Sequence, residues 1–179
     1  TTLRMIAGFE SVSGGDILLD GIRINEMTPD KRDSSMVFQS YALFPHYDVY
    51  DNVAYGLVNK KMDKKTIREK VMQMVELVGL KGLEHRMPNQ LSGGQQQRVG
   101  IARAFVSKPR VIFADEPTGN LDSITSKQVL YRMLQISKQM GTTFVMVTHE
   151  PELASCADRI ITILDGKVQS DVVQDPATK

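Results

Sequence analysis

The stretch Arg110-Val111-Ile112-Phe113-Ala114-Asp115-Glu116-Pro117 decides the fold of this 179-residue chain. Its apolar residues predict a buried strand over 111–114, and two carboxylates follow where that strand ends. Downstream come a helical pattern over about 126–140, a second apolar strand over 143–147 and a short helix begun by Pro151. Strands that alternate with helices in this way predict a parallel sheet with helical crossovers, that is, an α/β fold.

Polar residues follow three of the predicted strands. Ser35-Met36-Val37-Phe38-Gln39 reads as a strand that ends in a glutamine, and His149 follows the strand over 143–147. Open parallel sheets bind ligands beyond the carboxyl ends of their strands, so these residues and the acidic pair are candidates for one site.

The acidic pair has chemistry suited to a phosphate ester. Asp115 suits Mg²⁺, usually through water, because this hard cation prefers carboxylate oxygen. Glu116 could polarise a water for attack on a phosphorus atom. His149 could donate a hydrogen bond to a γ-phosphate. Taken alone, the acids are better explained as a solvated turn and the histidine as a structural residue.

The run Leu91-Ser92-Gly93-Gly94-Gln95 predicts the start of a helix that continues through Phe105. A serine with glutamine three residues later forms a capping box. The free amides and the positive dipole end of such a helix make an anion site, and two glycines allow a phosphate oxygen close to the backbone. A well-capped helix with nothing bound is the plainer alternative. Further on, Asp122 ends a loop and predicts an N-cap for the next helix.

The remaining pattern organises the chain. A helical periodicity over 60–80 places an apolar stripe on one face, and Asp-Gly pairs at 20–21 and 165–166 predict two tight hairpins. Residues 1–7 read as a helix ended by Gly8, and its abrupt start is interpreted as a cut. The whole therefore reads as an α/β core interrupted by a helical insertion near 40–108.

The composition excludes several classes of protein. The 22 Lys and Arg residues against 21 Asp and Glu give no electrostatic footprint for wrapping nucleic acid. The single Cys156 cannot form an internal disulfide. No apolar run approaches the ~20 residues that cross a bilayer. The phosphate-cradling pattern G-x-x-x-x-G-K-[ST] occurs nowhere in the chain.

In combination and in order, these motifs resemble the ATP-binding subunit of ABC transporters. Residues 91–95 match the family's signature, 111–116 its Walker B strand with the catalytic glutamate, and 120–122 its D-loop. Gln39 matches the Q-loop and His149 the switch histidine. Residues 1–8 resemble the helix that directly follows the Walker A lysine and serine.

The resemblance implies a P-loop NTPase fold of the RecA type. Its core would comprise residues 1–39 and 109–179, and residues 40–108 would form a helical subdomain that carries the signature. ATP and Mg²⁺ are the implied ligands. Two copies, identical or different, would face each other head to tail and drive alternating access in a membrane partner.

The resemblance also assigns roles to individual residues. Glu116 would activate water, with Gln39 and His149 as further catalytic groups. Asp115 and Gln39 would bind the Mg²⁺ ion. The implied nucleotide-binding residues are Thr1, Thr2, Ser92, Gly93, Gly94, Gln95 and Asp122. Since the Walker A lysine and serine are absent from the sequence, the 179-residue polypeptide is expected to bind ATP poorly and to be inactive.

The implied partners are a second ATPase subunit, membrane permease subunits and a substrate-binding protein, at the cytoplasmic face of the cell membrane. Residues 37–46 and 52–57 resemble importers of polyamines, sugars and iron, whereas 114–123 and 148–152 look more like lipoprotein-release and macrolide-export ATPases. The balance leans slightly toward import.

Three readings outside transport compete with this one. A DNA-repair ATPase would carry long coiled coils, and no sustained heptad run occurs. A translation regulator with paired cassettes would show a second signature or a basic arm, and the sequence contains neither. A binding module without activity is the remaining alternative.

Overall fold

A computed structural model describes residues 2–38 and 40–174. The described helices and strands follow in chain order: α1 Thr2–Ala7, β1 Leu18–Leu19, β2 Ile22–Arg23, β3 Ser34–Val37, α2 Val49–Asn59, α3 Lys64–Leu77, α4 Gly93–Phe105, β4 Val111–Asp115, α5 Ser123–Met140, β5 Thr143–Val147, α6 Pro151–Ala154, β6 Arg159–Leu164 and β7 Lys167–Val173. The chain divides between Val147 and Thr148 into two compact units.

A parallel sheet in the order β3-β4-β5 forms the centre of the first unit, as the sequence predicts. Val37 pairs with Ala114, and Asp115 pairs with Val147, so the carboxyl ends of all three strands reach one edge. Side chains alternate across the sheet. Met36 and Phe113 pack with α1, whereas Ile112 and Ala114 join the larger core formed with α2 to α5.

The helical region contains the predicted helix and one more. The helix predicted over 60–80 forms over Lys64–Leu77 as α3, capped by Asp63, and the unpredicted helix α2 precedes it. Asp48 caps α2 by accepting a hydrogen bond from the Asp51 amide at 2.8 Å. The predicted apolar stripe of α3 is confirmed, with Val71 and Val75 fully buried. Helix α5 likewise begins at Ser123 rather than 126, directly after Asp122.

The two predicted hairpins form around their Asp-Gly pairs. Asp20 and Asp165 adopt φ of 50°, and the glycines that follow them adopt 78° and 74°. A tight hairpin turn needs two central residues with φ above zero, and in each hairpin the Asp-Gly pair supplies both. The second hairpin, β6–β7, belongs to the second unit together with α6.

Helix α1 ends on a buried arginine. Gly8, with φ of 88°, closes the helix as predicted. Arg32 is only 6% exposed, and its guanidinium donates to the carbonyl oxygens of Met5 at 2.9 Å and Ile6 at 2.6 Å. Further donations reach the Met27 carbonyl at 2.9 Å. The Ile6 carbonyl at the last turn is therefore satisfied by a cation that also suits the negative end of the helix, and the Met5 carbonyl accepts from both this cation and the Gly8 amide.

Strand β5 is one of the two outer strands of the parallel sheet within the described residues. Its Val145 and Val147 are 37% and 44% exposed. A parallel strand is ordinarily buried on both faces.

None of the helices between residues 2 and 174 that the structure describes has the length and apolar character to cross a membrane.

Candidate functional site

The acidic pair lies at the carboxyl edge of the parallel sheet. Asp115 is the last residue of β4, and its side chain is half-buried. Glu116 follows in the left-handed region with φ of 45°. Its amide donates to the Val147 carbonyl at 3.0 Å. A non-glycine residue in this region costs about 1–2 kcal/mol, and such strain is concentrated at functional sites.

The pair suits a magnesium ion bound together with a nucleotide. No group of three or more His, Cys, Asp or Glu side chains that could enclose a metal occurs among the described residues. Mg²⁺ does not require one, because it is usually held by one or two carboxylates, substrate phosphates and water. The Asp115 carboxylate fits this donor set, and the Glu116 carboxylate beside it suits the polarisation of water.

The signature run forms the predicted capping box at the start of α4. The Ser92 hydroxyl accepts a hydrogen bond from the Gln95 amide at 3.3 Å, and the Gln95 side chain accepts one from the Ser92 amide at 2.9 Å. Ser92 and Gly93 are exposed. The helix start is therefore well ordered and open to solvent, which is the arrangement expected of an anion site.

A groove joins the starts of two helices. Ser92, Gly93 and Gly94 form one wall, and the start of α5 with the loop before it forms the other, through Asn120, Leu121, Asp122, Thr125 and Gln128. Asp122 caps α5 by accepting from the amides of Ile124 at 3.1 Å and Thr125 at 3.0 Å. The structure thus brings the signature residues and Asp122 together.

The other candidate residues have different positions. Thr2 is the exposed first residue of α1. His149 is exposed and belongs to the second unit. Gln39 and Thr1 lie outside the described residues. Strand β3 ends at Val37, two positions before the glutamine at which the sequence predicted its end.

Two polar side chains of α4 that sequence reasoning missed touch the loops after β3 and β4. Gln97 donates to the Pro117 carbonyl, next to Glu116. Arg103 donates to the carbonyls of Ala42 at 2.7 Å and Tyr41 at 3.2 Å. Burial lowers the pKa of the Arg103 guanidinium, which nevertheless stays charged because its ordinary pKa is so high.

Gly94 leaves no room for a side chain. A Cβ added there would lie 2.9 Å from the Thr125 Cγ2, which belongs to a stiff β-branched side chain. We expect Gly94→Ala to lower the free energy of unfolding by about 1 kcal/mol, as overpacking outweighs the gain in helix propensity. Adding Thr125→Ser, which removes the Cγ2 methyl group, should restore the lost free energy of unfolding. Urea unfolding of the two variants measures both effects, and equal stability of the single and double variants would contradict the contact.

Protonation of Asp122 should weaken α5. Hydrogen bonds from Thr125 hold the pKa of the Asp122 carboxyl below its ordinary value. The stabilisation is therefore fully present above the pKa of the unfolded chain, about 3.9, and is lost as pH falls through the lower folded pKa. We expect the melting temperature of the native protein to approach that of Asp122→Asn below that range, since asparagine caps without titrating. A difference in melting temperature between the two proteins that stays constant down to pH 2 would contradict this.

The parallel sheet, its terminal carboxylate pair and the capped, glycine-rich helix start define an ATP-binding cassette. The chain belongs to the ABC transporter family, whose model matches residues 1–119. The α/β fold is that of the family's cassettes. A dimeric structure of the cassette MJ0796, in a post-hydrolysis state bound to ADP and Pi, superposes with a TM-score of 0.83 at 31% identity, over 96% of this chain and 78% of that one.

Curated relatives of known role are more similar still. The spermidine/putrescine import ATP-binding protein PotA of Desulfitobacterium hafniense is 47% identical over 98% of this chain and 52% of its own length. The Fe(3+) ions import ATP-binding protein FbpC of Rhizobium etli is 48% identical over 94% of this chain and 48% of its own length. The chain spans about half the length of these curated relatives.

Proposed function

We propose that this chain supplies the ATP-hydrolysing part of an importer's ATP-binding subunit. The observation that carries the proposal is the pairing, in one compact unit, of an open capped signature helix with a carboxylate pair at the edge of the parallel sheet. ATP and Mg²⁺ are the ligands this pairing suits. The division into a core of 1–39 and 109–179 and a helical subdomain of 40–108 belongs to the same proposal.

Hydrolysis would use the chain's own carboxylates in separate roles. Glu116 would accept a proton from the attacking water at its carboxylate, and the rigid backbone around it would keep the side chain in place. Asp115 and Gln39 would hold Mg²⁺, which neutralises charge on the phosphate oxygens when bound. His149 would donate a hydrogen bond to the γ-phosphate, and Thr1 and Thr2 would lie at the phosphate end of α1.

A second ATPase subunit would complete each nucleotide site. Ser92, Gly93 and Gly94 would present their amides to the partner's γ-phosphate, with Gln95 fixing the cap and Asp122 in the loop beside it. Exposure of Ser92 and Gly93 supports this role, because a helix start already filled by its own chain could not accept a partner's ligand.

The partners proposed for the assembly are membrane permease subunits and a substrate-binding protein, at the cytoplasmic face of the membrane. The segment 41–46 is proposed as the contact with the permease. An import direction, for polyamines, sugars or iron, is favoured by the printed roles of the relatives in spermidine/putrescine and iron import.

Uptake measurements test the proposal in cells that express the full-length subunit. Accumulation of labelled spermidine, an oligosaccharide and Fe³⁺ is compared between the native gene and its Glu116→Gln variant. Loss of uptake of one solute in the variant supports the import proposal and names its class. Unchanged uptake of all three, with an efflux defect instead, would favour the export-type alternative.

The 179-residue polypeptide alone is expected to bind ATP weakly. The sequence holds no G-x-x-x-x-G-K-[ST] loop, whose backbone amides and lysine supply most contacts to the β- and γ-phosphates. Titration calorimetry with Mg-ATP should give little heat at micromolar protein. Tight, magnesium-dependent binding would contradict the expectation, and the same titration of the full-length subunit is the control.

A further inference from the structure

Helix α4 carries a buried glutamine side chain, Gln97, whose burial costs stability. Gln97 is fully buried, and its Nε2 donates to the Pro117 carbonyl. Its Oε1 has no hydrogen-bond partner among the described residues. A buried amide with one atom unsatisfied is less stable than an apolar side chain of the same shape. Stability therefore does not explain a glutamine here, whereas a role in holding the residue after Glu116 does.

Helix α4 is also fixed to the loop after β3. The guanidinium of Arg103 donates to two successive carbonyls, those of Tyr41 and Ala42, and lies 5.3 Å from the centre of the Phe44 ring. The loop lies directly on the helix, because a Cβ added to Gly100 would be 3.4 Å from the Tyr41 carbonyl oxygen. Arg103 thus bridges the signature helix and the segment that follows Gln39.

The two loops held in this way share a strained backbone. Non-glycine residues with positive φ in the described chain fall in the two hairpin turns, at Asp20 and Asp165, after helix ends, at Lys61 and Lys108, and at three further positions. Those three are Tyr41, Ala42 and Glu116, with φ of 62°, 45° and 45°. Such conformations persist where the surroundings hold them. The carbonyls of Tyr41 and Ala42 accept hydrogen bonds from Arg103 of α4. Glu116 directly precedes Pro117, whose carbonyl accepts one from Gln97 of α4.

We infer that Gln97 and Arg103 are positioning residues that join the two loops of a subunit's own nucleotide site to the signature it presents to its partner. The inference rests on the proposed function. A shift of Glu116 or of the loop after Gln39 is carried by these carbonyl contacts to α4, and so to Ser92 and Gly94 at its start. Both side chains bond to backbone carbonyls, so their loss acts through placement of the signature.

The test uses the full-length subunit assembled with its membrane subunits. Gln97→Met, Arg103→Met and Arg103→Lys are compared with Arg132→Met as the control. Arg132 lies on α5, and its guanidinium donates to the Gln135 side chain of the same helix at 3.4 Å, in an exposed hydrogen bond that involves neither the signature nor either loop. Turnover is measured against ATP concentration, and hydrogen exchange of the 91–97 amides is followed with and without ATP.

Gln97→Met and Arg103→Met are expected to lower kcat about tenfold or more, because a misplacement of about 1 Å can cost about 100-fold. KM for ATP should change by less than about twofold, the melting temperature should stay close to native, and ATP should no longer protect the 91–97 amides. Arg103→Lys should recover part of the turnover, and Arg132→Met should leave it near native. Should Gln97→Met not fold, the two variants of Arg103, which is only partly buried, decide the question.

Native turnover in both Gln97→Met and Arg103→Met, or a loss matched by Arg132→Met, would overturn the inference. A loss that follows the melting temperature would also overturn it. If the native protein turns over ATP and Glu116→Gln does not, the proposed function stands, and the contradicting results above overturn only the inference about Gln97 and Arg103. A native assembly without ATP turnover would overturn the proposed function and this inference with it.

Discussion

Replacing Glu116 with glutamine is expected to lower ATP turnover by the full-length subunit about 10²–10⁴-fold, the usual contribution of a general base. Glutamine has nearly the same shape but cannot accept a proton from water at neutral pH. The backbone of residue 116 is fixed by its hydrogen bond to the Val147 carbonyl, so the substitution should leave the loop in place. The ATP-bound dimer should therefore form and persist.

Two measurements separate these effects. Phosphate release reports turnover, and size-exclusion chromatography with ATP reports the dimer. Glu76→Gln is the matched control, since the exposed Glu76 carboxylate pairs with Lys81 at 2.7 Å, and exposed ion pairs have little influence on stability. Native turnover in Glu116→Gln would remove Glu116 as the base, and loss of the dimer together with turnover would point to a structural role instead.

Replacing Arg32 with methionine is expected to lower the free energy of unfolding by about 3 kcal/mol or more. Hydrogen bonds from a charged donor contribute about 1.5–3 kcal/mol each, and the substitution removes the guanidinium donor from the half-buried Ile6 and Met27 carbonyls. The end of α1 depends on these bonds, because Arg32 holds the carbonyls of Met5 and Ile6. Chemical denaturation measures the loss.

Arg23→Met is the control for this substitution. Arg23 has two carboxylate partners, Asp16 at 2.6 Å and Glu26 at 2.9 Å, but it is exposed, so its loss should change stability far less. Gly8→Ala offers an independent test, because its Cβ would lie 2.7 Å from the Arg32 Nε at a φ of 88°. Equal effects of Arg32→Met and Arg23→Met would contradict the assignment.

Local chemistry made much of this fold predictable. The Ser92 capping box, the Asp122 cap and both Asp-Gly turns depend on residues within a few positions of one another, and each is confirmed. Helix α2 was missed because β-branched and aromatic residues such as Val49 and Tyr50 are weak helix formers. Tertiary packing stabilises it instead, together with buried Asn52, whose amide group bonds Phe44 and Tyr47.

The contacts of Gln97 and Arg103 were not predicted, because their partners lie 20 and 61 positions away in the sequence. One signal was present for Gln97. It shares a helix face with Ile101, Ala104 and Phe105, so a polar residue stood on an otherwise apolar stripe. Which carbonyl it would meet depends on the placement of β4, and a single sequence does not specify that.

The outer strand β5 of the parallel sheet has a practical consequence for handling this polypeptide. Val145 and Val147 alternate along β5, which pairs only with β4 among the described strands, and the unpaired backbone groups of an edge strand can template another chain. Concentrated solutions should therefore form intermolecular β-structure, with thioflavin fluorescence that rises with time, and a lysine at Val145 should delay it.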